Sequence, residues 1–314
     1  MTPRTFDLVV CSYNRSDRIE PLCANLMSTP VPEGWRRRVF LVDNNSTDNT
    51  AEIGKAMARR YGPELTYVVE PRQGSSAARN RGIAVSDGEL VGFVDDDELL
   101  QEDWFHAAIA PFEADPDLDF ISGVYEPNYE APPPRWLPTH NYPAVIGIVK
   151  PSTQVQTYGE WPGELMAGNF VIRRSVIEEV GPFDPDYGRY ETGTGTGEDR
   201  ELHQRLLRAG KRGQFRPELV IRHAIPESRM RRSYYIRWAY SNGQSNARMD
   251  RGRTAGPVFL GLPRWRWRQG IMGLGTYLLG PLSGVEASRR FGGLLDFVSL
   301  GGQLSGLFGQ SRRP

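Results

Sequence analysis

The sequence is poor in cysteine, carries no excess charge and lacks a long apolar run. Its 314 residues include only Cys11 and Cys23, which form no zinc pattern and are expected to be small buried thiols in a reducing compartment. The formal net charge is zero, so overall charge gives no support to nucleic-acid binding. The N-terminus enters a strand pattern directly, and no cleavable signal peptide is expected. These absences are typical of one large globular domain, or of a core domain with an appendage.

An uncharged segment lies near the C-terminus. Gly270–Val285 has no charged residue, but glycines and Pro281 interrupt it, and it is shorter than the roughly 20 residues of a membrane-spanning helix. The stretch RWRWR, Arg264–Arg268, precedes it directly. Arginines and aromatics beside an apolar, glycine-rich segment favour peripheral contact of residues 257–310 with an anionic membrane, at its cytoplasmic face. The alternative is a helical hairpin packed on its own domain or on a second subunit of a homo-oligomer.

An apolar strand pattern ends abruptly in three carboxylates. Val91–Leu100 reads VGFVDDDELL, and Asp95, Asp96 and Asp97 come where the strand leaves the sheet. Three adjacent like charges repel one another, so a hard divalent cation, Mg²⁺ or Mn²⁺, that also carries phosphate oxygens would stabilise them. The alternative is a solvated acidic loop in which Asp97 caps a helix and Glu98 faces the helix dipole.

Strand and helix patterns alternate four times up to this acidic turn. The predicted strands before it are Phe6–Ser12, Arg38–Val42 and Leu65–Val69, and the predicted helices are 15–27, a segment ending near Tyr61, and Ser75–Val85. Such alternation predicts a mostly parallel sheet, in which ligands bind beyond the carboxyl ends of the strands. Asn14, Asp43 and Asp95 each stand at the end of a predicted strand, so we expect them to converge on one crevice.

The next segment departs from this alternation. After a predicted helix at residues 103–113 and a predicted strand at 118–124, Tyr125–Pro162 is rich in proline and aromatic residues. This composition predicts a long irregular loop that covers a site, or one that is a passive surface excursion. The stretch GNFVIRR then returns to a strand and a helix, and Gly168 in it permits close backbone approach.

A glycine-rich stretch precedes the following helix pattern. TGTGTGED ends a loop that starts near Asp184, and the helix after it is terminated by Gly210. Because the glycines lack a preceding strand and GxGxxG spacing, they favour a mobile flap over a dinucleotide motif. Glu198 and Asp199 are expected at the helix N-terminus, where simple complementation of the helix dipole is the alternative role. A final strand is predicted at residues 215–223.

Six motifs occur in order along residues 1–225: VVCSYNR, DNNSTDNT, ARNRG, FVDDDE, GNFVIRR and GEDREL. Together they resemble family 2 glycosyltransferases with the GT-A fold. The resemblance implies an α/β fold with a Rossmann-like, mostly parallel sheet flanked by helices, a nucleotide-binding half at 1–100 and an acceptor half at 101–225. Residues 226–314 lie outside this resemblance and are expected from their own composition to form a helical, membrane-associating extension. The implied activity is sugar transfer from a nucleotide-diphosphate sugar to a hydroxyl of a glycan, polysaccharide or lipid-linked acceptor.

The resemblance also assigns roles to residues at the motif positions. Asp95 and Asp97 match the DxD motif, the first near the ribose and the metal, the second on Mn²⁺ or Mg²⁺. Asp199 matches the general base, with Glu198 beside it. Ser12, Tyr13, Asn14 and Asp43 are implied at the base and ribose, Asp96 at the donor, Arg79 and Arg81 near the diphosphate, and Glu198 and Asn169 on the acceptor side.

His223, in VIRHAIP, has two interpretations. It is a third metal ligand, as in relatives with a histidine at the corresponding strand end, or it is a core histidine whose hydrogen bonds are satisfied there. Elsewhere the chemistry agrees with the resemblance, because a divalent ion and arginines stabilise a leaving diphosphate, and one carboxylate can take the proton of the attacking hydroxyl. A single base without a paired nucleophile favours direct displacement with inversion, although retention stays open.

Two other functions fit the same fold. A nucleotidyltransferase shares the sheet and the metal chemistry, but it normally opens with a glycine-rich loop where this chain has SYNR. A catalytically inactive sugar-nucleotide-binding module would have no need to keep Asp95, Asp97 and Asp199 together. Both features favour an active glycosyltransferase.

Overall fold

The computed structural model describes residues 3–138, 145, 148–187, 197–249 and 257–308. The strands are β1 (Arg4–Ser12), β2 (Trp35–Asp43), β3 (Leu65–Val69), β4 (Leu90–Asp95), β5 (Glu98–Leu100), β6 (Phe120–Tyr129), β7 (Gln156–Thr157), β8 (Asn169–Arg173), β9 (Gly213–Ile225), β10 (Val258–Phe259) and β11 (Leu262–Pro263). The α-helices are α1 (Ser16–Ser28), α2 (Thr50–Tyr61), α3 (Ser75–Val85), α4 (Trp104–Ala114), α5 (Arg174–Val180), α6 (Glu198–Arg208), α7 (Arg232–Met249), α8 (Arg264–Leu279) and α9 (Ala287–Phe308).

Strands β1 to β9 form one sheet in the order β3-β2-β1-β4-β8-β6-β9-β5, with β7 paired to β9. The pairs β3/β2, β2/β1 and β1/β4 are parallel, as the alternation of strands and helices predicts. Beyond β4, the pairs β4/β8, β8/β6 and β9/β5 are antiparallel. The expected α/β fold class is thus confirmed, but the sheet is mixed, and the expected parallel arrangement holds for the N-terminal four strands.

The central strands are buried on both faces, which explains their continuous apolar runs. In β1, Phe6 and Leu8 point into one apolar cluster, where α1 and α4 pack, while Val9 points into the other. Phe6 lies edge-on to Trp104 and Phe105 of α4, with ring centroids 5.8 and 5.3 Å away. Apolar side chains on both faces of the sheet therefore hold β1 and β4 in place, and these two strands end beside the acidic turn.

The acidic turn does not start a helix. Glu98–Leu100 forms β5 and pairs antiparallel with β9, so that Glu98 lies opposite His223. Helix α4 begins only at Trp104. The alternative in which Asp97 caps a helix is therefore wrong, because the residues directly after Asp97 form strand β5.

The predicted loop 125–162 begins later than expected. Strand β6 continues to Tyr129, and Tyr125 forms an isolated antiparallel bridge with Val149. Part of this loop and most of the glycine-rich stretch, at residues 139–144, 146–147 and 188–196, lie outside the described residues. The proposed cover and flap therefore stay predictions.

The chain divides into two compact units. The first comprises the described parts of 1–127, 149–191 and 198–224, and the second those of 128–148, 192–197 and 225–314. The second unit contains α7, α8 and α9, with α9 packed against both other helices, around buried Tyr235 and Phe291. Within the described residues, no helix combines the length and apolar character needed to cross a membrane.

Candidate active site

Two loops of the parallel half-sheet meet at the acidic turn. Strands β1 and β4 are in register so that Cys11 pairs with Asp95, which brings the residue after Cys11 to the start of the turn. The Ser12 hydroxyl donates a hydrogen bond of 2.7 Å to Asp96 Oδ2. Burial, and after it the charge of Asp97, raises the pKa of Asp96 to about 7. The carboxylates are therefore crowded enough to oppose one another's ionisation.

Two basic side chains, Arg15 and His223, lie beside Asp96 and Asp97. The Arg15 guanidinium lies 3.4 Å from Asp96 Oδ1 and 4.0 Å from Asp97 Oδ2. His223 Nε2 lies 3.5 Å from Asp97 Oδ1, and both side chains are 9% exposed. Sequence reasoning did not assign a role to Arg15, although its position directly after SYN at a strand end was a usable signal.

Arg79 joins the acidic turn to α6. Its guanidinium donates to Asp95 Oδ1 at 2.9 Å and to Glu198 Oε1 at 3.2 Å, and it lies over the Phe183 ring. Burial alone would lower the Arg79 pKa, but nearby carboxylates, Asp95 foremost, raise it well above its ordinary value. Arg79 is thus a fixed positive charge between two acidic segments that are far apart in sequence.

The two adjacent carboxylates at the start of α6 differ in their surroundings. Glu198 Oε1 accepts hydrogen bonds from the Ser75 hydroxyl at 3.0 Å and from Arg79. The backbone of Ala167 favours the ionised form of Asp199, but the buried Oδ1 of Asp199 has no hydrogen-bond partner among the described residues. Burial, and after it the charge of Glu198, raises the pKa of Asp199 to about 7. A simple helix-capping role would leave this buried oxygen unexplained.

Gly168 packs closely against the side chains of the acidic turn and of β5. A Cβ atom at this position would lie 2.6 Å from Glu98 Oε1 and 3.0 Å from both Asp95 Oδ2 and the Tyr125 hydroxyl. Glu98 Oε2 also accepts a 2.7 Å hydrogen bond from the Asp95 amide, which holds the turn. Burial, followed by the charges of Asp95 and Asp97, raises the Glu98 pKa well above its ordinary value. Glu98 and Tyr125 were not among the residues expected from sequence.

The predicted nucleotide-binding residues form a connected network. Asp43 Oδ1 accepts from the Ser46 amide at 2.9 Å, and its Oδ2 accepts from the Tyr67 hydroxyl at 2.6 Å. Asn14 has the left-handed φ of 53° and accepts a 2.8 Å hydrogen bond from the Thr47 amide. The loops after β1 and β2 are therefore tied together, which supports the expected convergence of Asn14 and Asp43.

Three further predicted site residues differ in their exposure to solvent. Tyr13 is half-buried beside Ser12. Arg81 is exposed and acts electrostatically on Glu70. Asn169 is fully buried, since it accepts from Trp104 Nε1 and donates to the Val124 and Leu219 carbonyls. The acceptor-side role expected for Asn169 does not suit a side chain occupied inside the core.

The chemistry of the acidic turn suits a divalent metal completed by a ligand. Among the described residues, no three His, Cys, Asp or Glu side chains are grouped to hold a metal by themselves. Asp97 and His223, whose side chains could both ligate a metal, nevertheless lie 3.5 Å apart beside crowded carboxylates. Mg²⁺ and similar ions are usually bound through one or two carboxylates together with substrate phosphates and water. The residues present therefore fit such an ion.

The fold matches solved glycosyltransferase structures. One is "Mannosyltransferase PcManGT from Pyrobaculum calidifontis in complex with GDP-Man and Mn2+", with a TM-score of 0.63 and 19% identity over 98% of this chain and 88% of that one. At this identity the likeness shows the fold, which is that of the GT-A class.

Sequence comparison defines the family within this class. Residues 7–181, just over half of the chain, match Glycosyl transferase family 2. The succinoglycan biosynthesis protein ExoM of Rhizobium meliloti is 24% identical over 77% of this chain and 74% of its own length. Glycosyltransferase AglE of Haloferax volcanii is 26% identical over 56% of this chain and 55% of its own length. The chain belongs to glycosyltransferase family 2 and is a glycosyltransferase, which confirms the resemblance and disfavours the nucleotidyltransferase alternative.

Proposed function

We propose that this glycosyltransferase moves a sugar from a nucleotide-diphosphate donor to an acceptor hydroxyl, with Asp199 as general base. The observation that carries this proposal is the buried Asp199 Oδ1, which has no hydrogen-bond partner in the described part of the chain, whereas neighbouring Glu198 accepts hydrogen bonds from Ser75 and Arg79. A free carboxylate oxygen can accept the proton that the hydroxyl loses as it attacks. Because one base is sufficient and no separate nucleophile is needed, we propose direct displacement with inversion.

The donor side of the proposed reaction uses the acidic turn. Asp97, Asp95 and His223 would hold Mn²⁺ or Mg²⁺, which supplies positive charge next to the leaving diphosphate when bound. The short distance between His223 and Asp97 in this turn supports the assignment, as does the presence of GDP-Man and Mn²⁺ in the PcManGT complex. Ser12, Tyr13, Asn14, Asp43 and Asp96 would bind the nucleotide, with Arg79 orienting Asp95 and Arg81 an added candidate for diphosphate contact.

Calorimetry with UDP, GDP and dTDP, each with and without Mn²⁺, tests the donor side. We expect nucleotide affinity to depend on the metal. Asp97→Ala should remove most of the metal-dependent part, whereas Asp96→Ala should remove less, since Asp96 is held by Ser12 and Arg15. Equal affinity in EDTA for whichever nucleotide binds would exclude the metal role. Hydrolysis of a panel of UDP-, GDP- and dTDP-sugars then identifies the donor.

The acceptor is proposed to be a glycan or a lipid-linked sugar. The name of ExoM, a succinoglycan biosynthesis protein, supports a polysaccharide pathway as one setting. We place the enzyme at the cytoplasmic face of a membrane, held peripherally through residues 257–310. The RWRWR stretch next to an uncharged segment supports this location.

A further inference from the structure

Helix α8 exposes its large apolar side chains and buries its glycines. Five large apolar residues on this helix are 58–64% exposed, and Leu282 in the turn after it is 88% exposed. The five are Trp265, Ile271, Met272, Leu278 and Leu279. Gly270 and Gly273 are the buried residues of the helix. A helix that packs its apolar stripe on a protein core shows the reverse pattern.

The glycines permit very close contact with α9. A Cβ atom at Gly273 would lie 2.5 Å from the carbonyl oxygen of Gly293, and one at Gly270 would lie 2.7 Å from Leu300 Cδ2. No larger side chain fits at either position without moving the helices apart. Packing through small residues, with large apolar residues directed outward, is typical of helices whose outer surface contacts lipid.

The exposed apolar residues form one continuous surface. Trp265, Met272 and Leu279 lie seven positions apart, as do Ile271 and Leu278, and seven residues make two helical turns, so all five are on one side of α8. The β10–β11 hairpin adds Phe259 and Leu260, which are 54% and 58% exposed. Trp267 Nε1 donates a 2.9 Å hydrogen bond to the Phe259 carbonyl, which ties the hairpin to the helix. We call these residues, with the five of α8 and Leu282, the α8 surface.

The charges on this surface have one sign. Arg264 and Arg268 are exposed at its N-terminal end, and Arg266 lies over the Trp265 ring at 5.0 Å. The sequence contains no Asp or Glu from Val258 to Val285. A second copy of the α8 surface would therefore offer these arginines no carboxylate in either helix orientation. An anionic lipid surface offers phosphate to the arginines and acyl chains to the apolar residues.

We propose that the α8 surface docks in the headgroup region of an anionic bilayer, with α8 lying in the membrane plane. The 16 residues of α8 span about 24 Å at 1.5 Å per residue, less than the roughly 30 Å hydrocarbon core. The helix therefore lies on the membrane and does not cross it. The proposal deepens the peripheral contact proposed above by naming the surface and its partner, and it is independent of the donor chemistry.

Vesicle binding by the full-length chain tests the proposal. Sedimentation with mixed phosphatidylcholine and phosphatidylglycerol vesicles should show binding that the double substitution Leu279→Glu, Leu282→Glu lowers about tenfold or more. Val155→Glu is the matched control, because Val155 is 44% exposed but lies outside the α8 surface, and it should bind as the unaltered chain does. The double substitution Arg264→Gln, Arg268→Gln should lower the preference for phosphatidylglycerol about tenfold or more.

A second measurement does not depend on those variants folding. Brominated acyl chains should quench tryptophan fluorescence in the unaltered chain, and Trp265→Phe should lose much of that quenching. Absence of binding, or equal binding by the Leu279→Glu, Leu282→Glu protein and the control, would overturn the proposal. A dimer that this double substitution dissociates, without vesicle binding, would assign the surface to a second copy. Vesicle binding without any sugar transfer would count against the proposed function alone.

Discussion

Asp199 should govern how transfer depends on pH. Burial and the charge of Glu198 raise the Asp199 pKa to about 7. A base accepts a proton only when it is ionised, so the transfer rate should rise as pH increases through about 7 and level off above it. For one group with this pKa, about a tenth of the molecules are ionised one pH unit lower, and the rate there should be about a tenth of the plateau.

Two substitutions distinguish the base from its neighbour. Asp199→Asn keeps the side-chain size but cannot accept the proton, so the plateau rate should fall on the order of 10²-fold and the rise with pH should disappear. Glu198→Gln removes a charge that raises the Asp199 pKa while its amide oxygen can still accept from Ser75. In that variant the rise should persist but move to lower pH.

Single-turnover transfer at saturating donor and acceptor is the assay, using the nucleotide sugar that the hydrolysis panel identifies. Donor affinity, measured by calorimetry, should change less than about threefold in Asp199→Asn, because the base acts on the acceptor. A folded Asp199→Asn protein with a near-normal rate would remove Asp199 from the mechanism. A large rate loss that keeps the same rise with pH would instead assign the titration to Asp96, whose pKa is also raised to about 7.

Two smaller substitutions test the surroundings of the site. Gly168→Ala should lower the free energy of unfolding by about 1–3 kcal/mol in urea titration, because its Cβ would collide with Glu98. Its control, Gly275→Ala, meets no atom within 4 Å and should be stabilising; equal effects would contradict the crowding argument. Tyr67→Phe should weaken nucleotide binding in calorimetry by about two- to tenfold, since Asp43 loses a 2.6 Å hydrogen bond; unchanged binding would count against a role of Asp43 in holding the nucleotide.

The sequence was most informative where one physical signal dominates. The predicted bounds of β3 and α3 agree with the structure. An apolar segment marks β3, and Gly74 directly precedes the first residue of α3. Strand direction beyond β4 could not be predicted, since an apolar run is the same in parallel and antiparallel neighbours. The same limit explains β5, where three residues after the aspartates form a strand only because β9 pairs with them.

The sequence indicates which residues belong to the site, but not which of their side chains contact one another. Asp95 and Glu198 were identified from motifs, but the sequence gives no sign that Arg79 contacts both of them. Buried carboxylates such as Glu98 are hard to predict, because only the folded surroundings show that the charge is removed from water. Asn169 illustrates the reverse difficulty, since its motif gives no sign that the side-chain amide is buried and hydrogen-bonded to Trp104, Val124 and Leu219 in the core.

Strand β9 has a consequence for how the chain folds during synthesis. It lies between β6 and β5 in the sheet, yet it follows both of them, and the end of the family match at residue 181, in sequence. The ribosome therefore releases the acidic turn and β5 long before their neighbour exists, and only β1 to β4 can associate early. The parallel half-sheet should form as a nascent intermediate, while the half that carries His223 and Asp199 joins last. A chain cut at residue 181 would keep the residues proposed to bind the nucleotide but lack Asp199, the proposed base.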